Sequence, residues 1–341
     1  MPLLQPTTPR QALRLIDRML ADERLLALVE ATRSTGLAAL ERHAVRLRHA
    51  MGVPEWEQVT RILAGWGGLP EADPVPATGS RDERLARLRD IAQDRWDLRC
   101  GRERDRIPIS VDLLPAPVAE LVMGLAREWG MVGPLPASGA FGAAVVLGGY
   151  FSSTLNRSAA AAALQRESVT FPLVVGLASQ RPLPAAERRQ AAALGSGAGT
   201  EADAMALGLA RAFGVDPDQW QGVAGEREQI RGDGLRLVVT EVPLHPDGSR
   251  PNTGESFAWL LRRHRLDVAD GVLSVTTPIY WIQNHSNLLT RLPQRGTRLV
   301  TAGGNVEPVA ELRPIYRSQH YLQEIKAAID ALPALLAWAS A

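Results

Sequence analysis

Lysine is almost missing from this chain. Lys326 is the only one, so 37 of the 38 basic side chains are arginines. A lysine Schiff base or a phosphate-loop lysine would have to be Lys326, which falls on a late predicted helix with no glycine loop before it. Both chemistries are disfavoured. Cysteine is equally scarce. With Cys100 alone, intramolecular disulfides, CxxC redox pairs and multi-cysteine zinc sites are excluded. No apolar run approaches the ~20 residues of a membrane span. The start, Met1-Pro2-Leu3-Leu4-Gln5, has neither the charged opening nor the long apolar stretch of a secretory signal. The formal net charge is only +1, too small to draw in nucleic acid or an anionic membrane. No spacing of His, Asp and Glu makes a metal site, and no Gly-x-Ser-x-Gly elbow is present. These absences leave a cytoplasmic protein with a small-molecule partner, no nucleic acid and no membrane.

At 341 residues, 45% of them hydrophobic, the chain can build two domains. The first third reads as all helical, a domain over 1–135. Thr8 and Pro9 cap a helix whose apolar face is Leu13, Ile16, Leu20 and the Leu25 to Val29 run. Leu37, Leu40, Ala44, Leu47 and Met51 form a second stripe, and Trp56, Val59, Ile62 and Leu63 a third. Residues 65–79 are a Gly- and Pro-rich connector. Ser80 with Glu83 makes a capping box, and another helix runs from Pro117 to Trp129.

The pattern changes near residue 140. Short apolar runs at 143–147, 172–178, 235–242, 271–277 and 297–302 alternate with helical segments. Continuous rather than alternating apolar runs mark strands covered on both faces. Residues 140–341 are therefore expected to form an α/β domain. Its parallel sheet would have about five strands, helices on both faces, and a C-terminal helical tail interrupted at Pro314 and Pro333. The N-terminal helices would pack over the strand ends or mediate a homodimer.

Polar turns at the carboxyl ends of parallel strands are where open α/β sheets receive ligands. Three such turns stand out. Gly148-Gly149 leads to Asn156 and Arg157; glycine admits close approach and arginine can grip a phosphate or carboxylate with two bonds. Asn252-Thr253-Gly254-Glu255 opens a helix whose free amides suit an anion, though the same spacing is also a capping box. Thr276-Thr277 precedes Tyr280, Gln283, Asn284 and His285. His285 and Glu241, the latter ending the third strand run, are the candidate acid/base groups. Glu201 opens a further helix. The stretch Gly195-Ser196-Gly197-Ala198-Gly199 follows no predicted strand and reads as a linker. Arg157, Glu241 and Glu255 are expected to face one shared cavity.

Residues 143–305 resemble the YdcF-like family. The likeness is carried by Val145-Val146-Leu147-Gly148-Gly149 with Arg157, by Glu201-Ala202 with Met205, and by Gly214-Val215. Asn252-Thr253 with Glu255 and Val275-Thr276-Thr277 complete it. Tyr280 and Gln283 stand where that family usually has His and Arg, and Gly176-Leu177-Ala178-Ser179 replaces its Ser-Gly-Gly. The resemblance implies a Rossmann-like fold and a pocket for a nucleotide-like or phosphorylated ligand. Together these readings lead to a transferase or hydrolase acting on a nucleotide-like, adenosyl or phosphorylated ligand at the strand carboxyl ends. In that scheme Gly148, Gly149, Asn156, Arg157, Glu201, Asn252, Thr253, Glu255, Thr276, Thr277, Tyr280 and Gln283 hold the ligand. An adenosyl or nucleotide cofactor fits this pocket type without being specified by any motif. The alternative is a non-catalytic small-molecule binder or sensor.

Overall fold

The computed structural model describes residues 5–34, 42–43, 45–47, 75–76, 78–99, 112–223, 225–263, 266, 269–292, 297–304 and 315–341. Cys100, the helix expected around Trp56 to Leu63 and most of the Leu37 to Met51 stripe lie outside them. No helix among the described residues is long and apolar enough to cross a membrane. The described residues are mixed α/β and fall into two compact units.

The first unit takes its described residues from Arg10–Val132 and Ile315–Ala341. Its helices are Pro9–Leu20 (entered from the other unit at Pro9), Glu23–Ser34, Arg81–Trp96, Ala116–Glu128 and Ser318–Ser340. The single N-terminal helix expected from the apolar pattern is broken at Asp22, whose carboxylate accepts from the amides of Arg24 and Leu25 and so caps a new start. The Ser80–Glu83 capping box forms as expected. The last helix groups with these helices, whereas its sequence position had attached it to the sheet. Gln319 and Gln323 explain the grouping. They are buried, and accept from the amides of Leu113 and Leu98. Pro333 lies inside this helix and does not interrupt it.

The second unit takes its described residues from Gln5–Pro9 and Gly133–Pro314. Its strands are β1 (Gly139–Ala140), β2 (Ala143–Leu147), β3 (Val169–Thr170), β4 (Leu173–Ser179), β5 (Gln221–Val223), β6 (Glu226–Ile230), β7 (Arg236–Val242), β8 (Val272–Val275) and β9 (Leu299–Ala302). Its α-helices, numbered within this unit, are α1 (Phe151–Glu167), α2 (Ala185–Ala193), α3 (Glu201–Phe213), α4 (Thr253–Arg263) and α5 (Trp281–Leu289). Seven strands form one sheet in the order β5-β6-β7-β4-β2-β8-β9. The five expected strands, β7, β4, β2, β8 and β9, are mutually parallel. The sequence reading missed an antiparallel β5–β6 extension beside β7 and the short β1–β3 pair.

The core explains the apolar runs. Val146, Val174, Val239, Leu273 and Val275 pack with Met205, Leu209 and Phe213 of α3. Full burial of such a side chain is worth roughly 1.5–3 kcal/mol. Gly176 belongs to this contact: a Cβ there would overlap Met205 Cγ and lie 2.9 Å from its sulfur. The Gly-Leu-Ala run in β4 thus serves helix–sheet packing. At the outer strand, Gln5 donates from Nε2 to Thr301 O at 2.5 Å and accepts from Thr301 N at 2.6 Å. Its amide takes the place of a neighbouring strand.

Candidate functional site

Strand order sets the site. From β2 the chain steps outward through β4 to β7, then returns to β8 on the other side of β2. The turns after β2 and β8 therefore emerge side by side, and Arg157 joins them. Carried on α1 and buried, it donates from Nη1 to the carbonyls of Leu147, at 2.9 Å, and Gly148, and from Nε to Thr277 Oγ1 at 3.0 Å. Its guanidinium lies over the Tyr280 ring, 5.4 Å from the centroid. Thr276 Oγ1 accepts from Asn284 Nδ2 at 2.8 Å. Gly148, Gly149, Arg157, Thr276, Thr277 and Tyr280 thus meet at one rim.

A buried ionic network underlies that rim. Glu201, at the start of α3, presses its carboxylate against Gly148, so a Cβ there would overlap Oε1 and come within 2.7 Å of Leu177 O. Ser179 Oγ donates to Glu201 Oε2 at 2.6 Å. Arg181 lies 3.5 Å from the same oxygen and donates to Gly149 O at 3.1 Å. Glu187 of α2, almost fully buried, accepts from Phe151 N at 2.8 Å and pairs with Arg181 at 3.4 Å. Burial works against the charge on Arg181, but Glu201 and Glu187 outweigh it and raise its pKa. The opening amide of α1, attractive to an external anion, is already bound by the protein's own carboxylate. Sequence reasoning missed Arg181 and Glu187 because nothing local marks them; Glu201 and Arg157 were marked by their helix and turn positions.

Other expected residues make contacts of their own or are half-buried. Asn252 and Glu255 form the capping box with each other, Asn252 N to Glu255 Oε2 at 2.7 Å and Glu255 N to Asn252 Oδ1 at 2.9 Å. Glu255 also meets His245 at 3.3 Å. Thr253, the first residue of α4, and Gln283, on α5, are half-buried. Asn156 is half-buried too, and its Oδ1 has no hydrogen-bond partner among the described residues.

The expectation for His285 is corrected. Its ring is buried in packing, with Nδ1 2.9 Å from Thr301 Oγ1 and Nε2 2.7 Å from Pro6 O. A neutral imidazole donating from Nε2 and accepting at Nδ1 satisfies both contacts. Burial lowers its pKa to about 4 despite the Pro6 carbonyl. Both nitrogens are committed, so it is not an acid/base group facing a ligand.

Glu241 is paired with Arg227. It lines a hollow of about 680 Å³ formed by the 196–198 loop, α3, β6 and the segment before β5. Neither Arg157 nor Glu255 lines this hollow. Arg227 bridges Glu241 Oε1 at 2.8 Å and Asp203 Oδ1 at 2.7 Å. Burial would raise the pKa of Asp203, but bonds from Arg227, Gly199 and Thr200 hold it below the usual value. The glycine-rich stretch read as a linker is thus a wall, pinned where Gly199 N and Thr200 N donate to Asp203 Oδ2. The Thr200–Asp203 capping box was a findable signal; Arg227, on the polar strand β6 between β5 and β7, had none. Among the described residues, no group of three or more His, Cys, Asp and Glu could hold a metal.

Comparison with known proteins adds little beyond kinship. The chain is 27% identical over 244 residues to uncharacterized proteins of Mycobacterium bovis and Mycobacterium tuberculosis, covering 65% of this chain and 67% of theirs. No family model matches, and no solved structure does.

Proposed function

We propose that the sheet-bearing unit is Rossmann-like and binds a nucleotide-like, adenosyl or phosphorylated small molecule where β2 and β8 end. The observation that carries this is the strand order β7-β4-β2-β8-β9. Doubly wound sheets receive ligands where strand order reverses, at the carboxyl ends. The Gly148-Gly149 turn, Thr277 and the half-buried Tyr280 supply a small-residue approach, a hydroxyl and an aromatic wall. The likeness to the YdcF-like family points the same way.

Of the two activities expected from sequence, non-catalytic binding is favoured. A transferase or hydrolase needs a titrating group at the rim, and His285 is locked in packing while Glu241 is paired to Arg227. The second reading keeps one specific support: the Glu201 carboxylate lies directly beneath Gly148.

Titration calorimetry with ATP, ADP, AMP and S-adenosylmethionine tests this. At least one is expected to bind, with affinity falling about tenfold or more in Tyr280→Ala. No heat from any of the four, with a folded protein, would remove the proposal. Turnover of a bound compound that disappears in Glu201→Gln would shift the assignment from binder to enzyme.

A further inference from the structure

We propose that the hollow lined by Glu241 is a second binding site, and that it takes a small organic cation, an amine or a guanidinium. At about 680 Å³ it has the size of a small-molecule pocket. Its lining comes from segments that the fold, not the sequence, brings together: Asp203 on α3, Asp218 and Trp220 before β5, Glu226 and Arg227 on β6, and Glu241 on β7.

Charge decides the class of ligand. Four of those six residues are carboxylates and one is a guanidinium. Arg263, from α4, donates to Glu226 Oε1 at 2.6 Å. Two cations against four anions leave the hollow with an excess of two negative charges. A phosphate or carboxylate ligand would meet that excess as repulsion, and an ammonium or guanidinium as attraction.

The wall already shows what it can hold. Asp203 and Glu241 grip the Arg227 guanidinium from two sides, at 2.7 and 2.8 Å. Asp218 is available for a second cation. No side chain among the described residues pairs with its carboxylate, and its backbone is fixed where Asp218 N donates to Asp216 Oδ1 at 3.0 Å. Trp220, two residues on, lines the same hollow and gives a cation an aromatic surface. This site shares a helix with the rim: Glu201 of α3 faces Gly148, whereas Asp203 faces the hollow.

Titration of the full chain with agmatine and with putrescine at low ionic strength tests the proposal. One equivalent of at least one of them is expected to bind. Affinity should drop about fivefold or more in Asp218→Asn and in Trp220→Leu, and again in ~0.5 M salt. Asp218→Asn lies on an exposed turn, so a thermal melt matching wild type certifies its fold. Binding should be unchanged in Tyr280→Ala, which separates this site from the rim. Absence of binding by both amines, or affinity that survives Asp218→Asn, overturns the proposal. So does inorganic phosphate that binds and loses its affinity in Arg227→Gln.

Discussion

Arg157 Nε and Thr277 Oγ1 meet at 3.0 Å, and through them the helix after β2 is fastened to the turn after β8. Both side chains are buried, at 6% and 9% exposure. The bond spans the point where strand order reverses, so it holds together the two turns that frame the rim.

Loss of the hydroxyl should therefore be felt. Thr277→Val leaves a buried charged donor without its acceptor and is expected to cost about 1–3 kcal/mol, whereas Thr277→Ser should retain most of the stability. Urea unfolding midpoints decide it. Equal midpoints for the Val and Ser variants would mean that the hydroxyl bond contributes nothing.

Two strand-end glycines are set by contact rather than by backbone angle. A Cβ at Gly148 would overlap Glu201 Oε1 and approach Leu177 O at 2.7 Å, and one at Gly303 would overlap the carbonyl of Thr276. Backbone atoms cannot swing aside as a side-chain end can. Gly148→Ala and Gly303→Ala are each expected to destabilise by about 1–3 kcal/mol. At Gly232 an added Cβ would meet nothing within 4 Å, so alanine should be tolerated within about 0.5 kcal/mol. Thermal melts of the three variants give the comparison, and a Gly303→Ala melt as high as that of Gly232→Ala would contradict it.

His285 gives the fold an acid sensitivity whose direction is fixed. Its folded pKa, about 4, lies below the ordinary 6.5, so the unfolded chain takes up the proton first as pH falls. The stability tied to the neutral ring is complete above pH ~6.5, declines as pH falls from there, and is gone below about 4. The gap corresponds to something on the order of 3 kcal/mol. Unfolding free energies at a series of pH values between those limits should slope downward toward acid. In His285→Gln the slope should flatten. An unchanged slope in that variant would assign the acid sensitivity to other groups.

The strands that could be read from sequence are those with both faces covered. Ala143–Leu147 and Val272–Val275 are buried at every position, so their apolar runs are uninterrupted. Glu226–Ile230, between β5 and β7, has one buried residue, Gln229, and its polar composition looks like a loop. The Ser318–Ser340 helix was legible as an element, but its neighbours were not, since an apolar stripe does not specify what covers it. The rim was legible where chain order creates it, at Gly148-Gly149 and Thr276-Thr277. Arg181 and Glu187 acquire their meaning only from groups distant in sequence. His285 shows the opposite failure. Its residue type suggested proton transfer, and only its bonds to Pro6 and Thr301 reveal a structural post.

The Gln5 carboxamide, bonded to both the N–H and the C=O of Thr301, has a bearing on self-association. An incoming strand would have to evict it before docking alongside Leu299–Ala302, so this side chain, together with the Leu135 backbone bonded to Gly303, guards that flank against runaway polymerisation. Replacing the amide with a methyl would unveil the flank, and clumping of the chain on storage is where the loss would first be noticed.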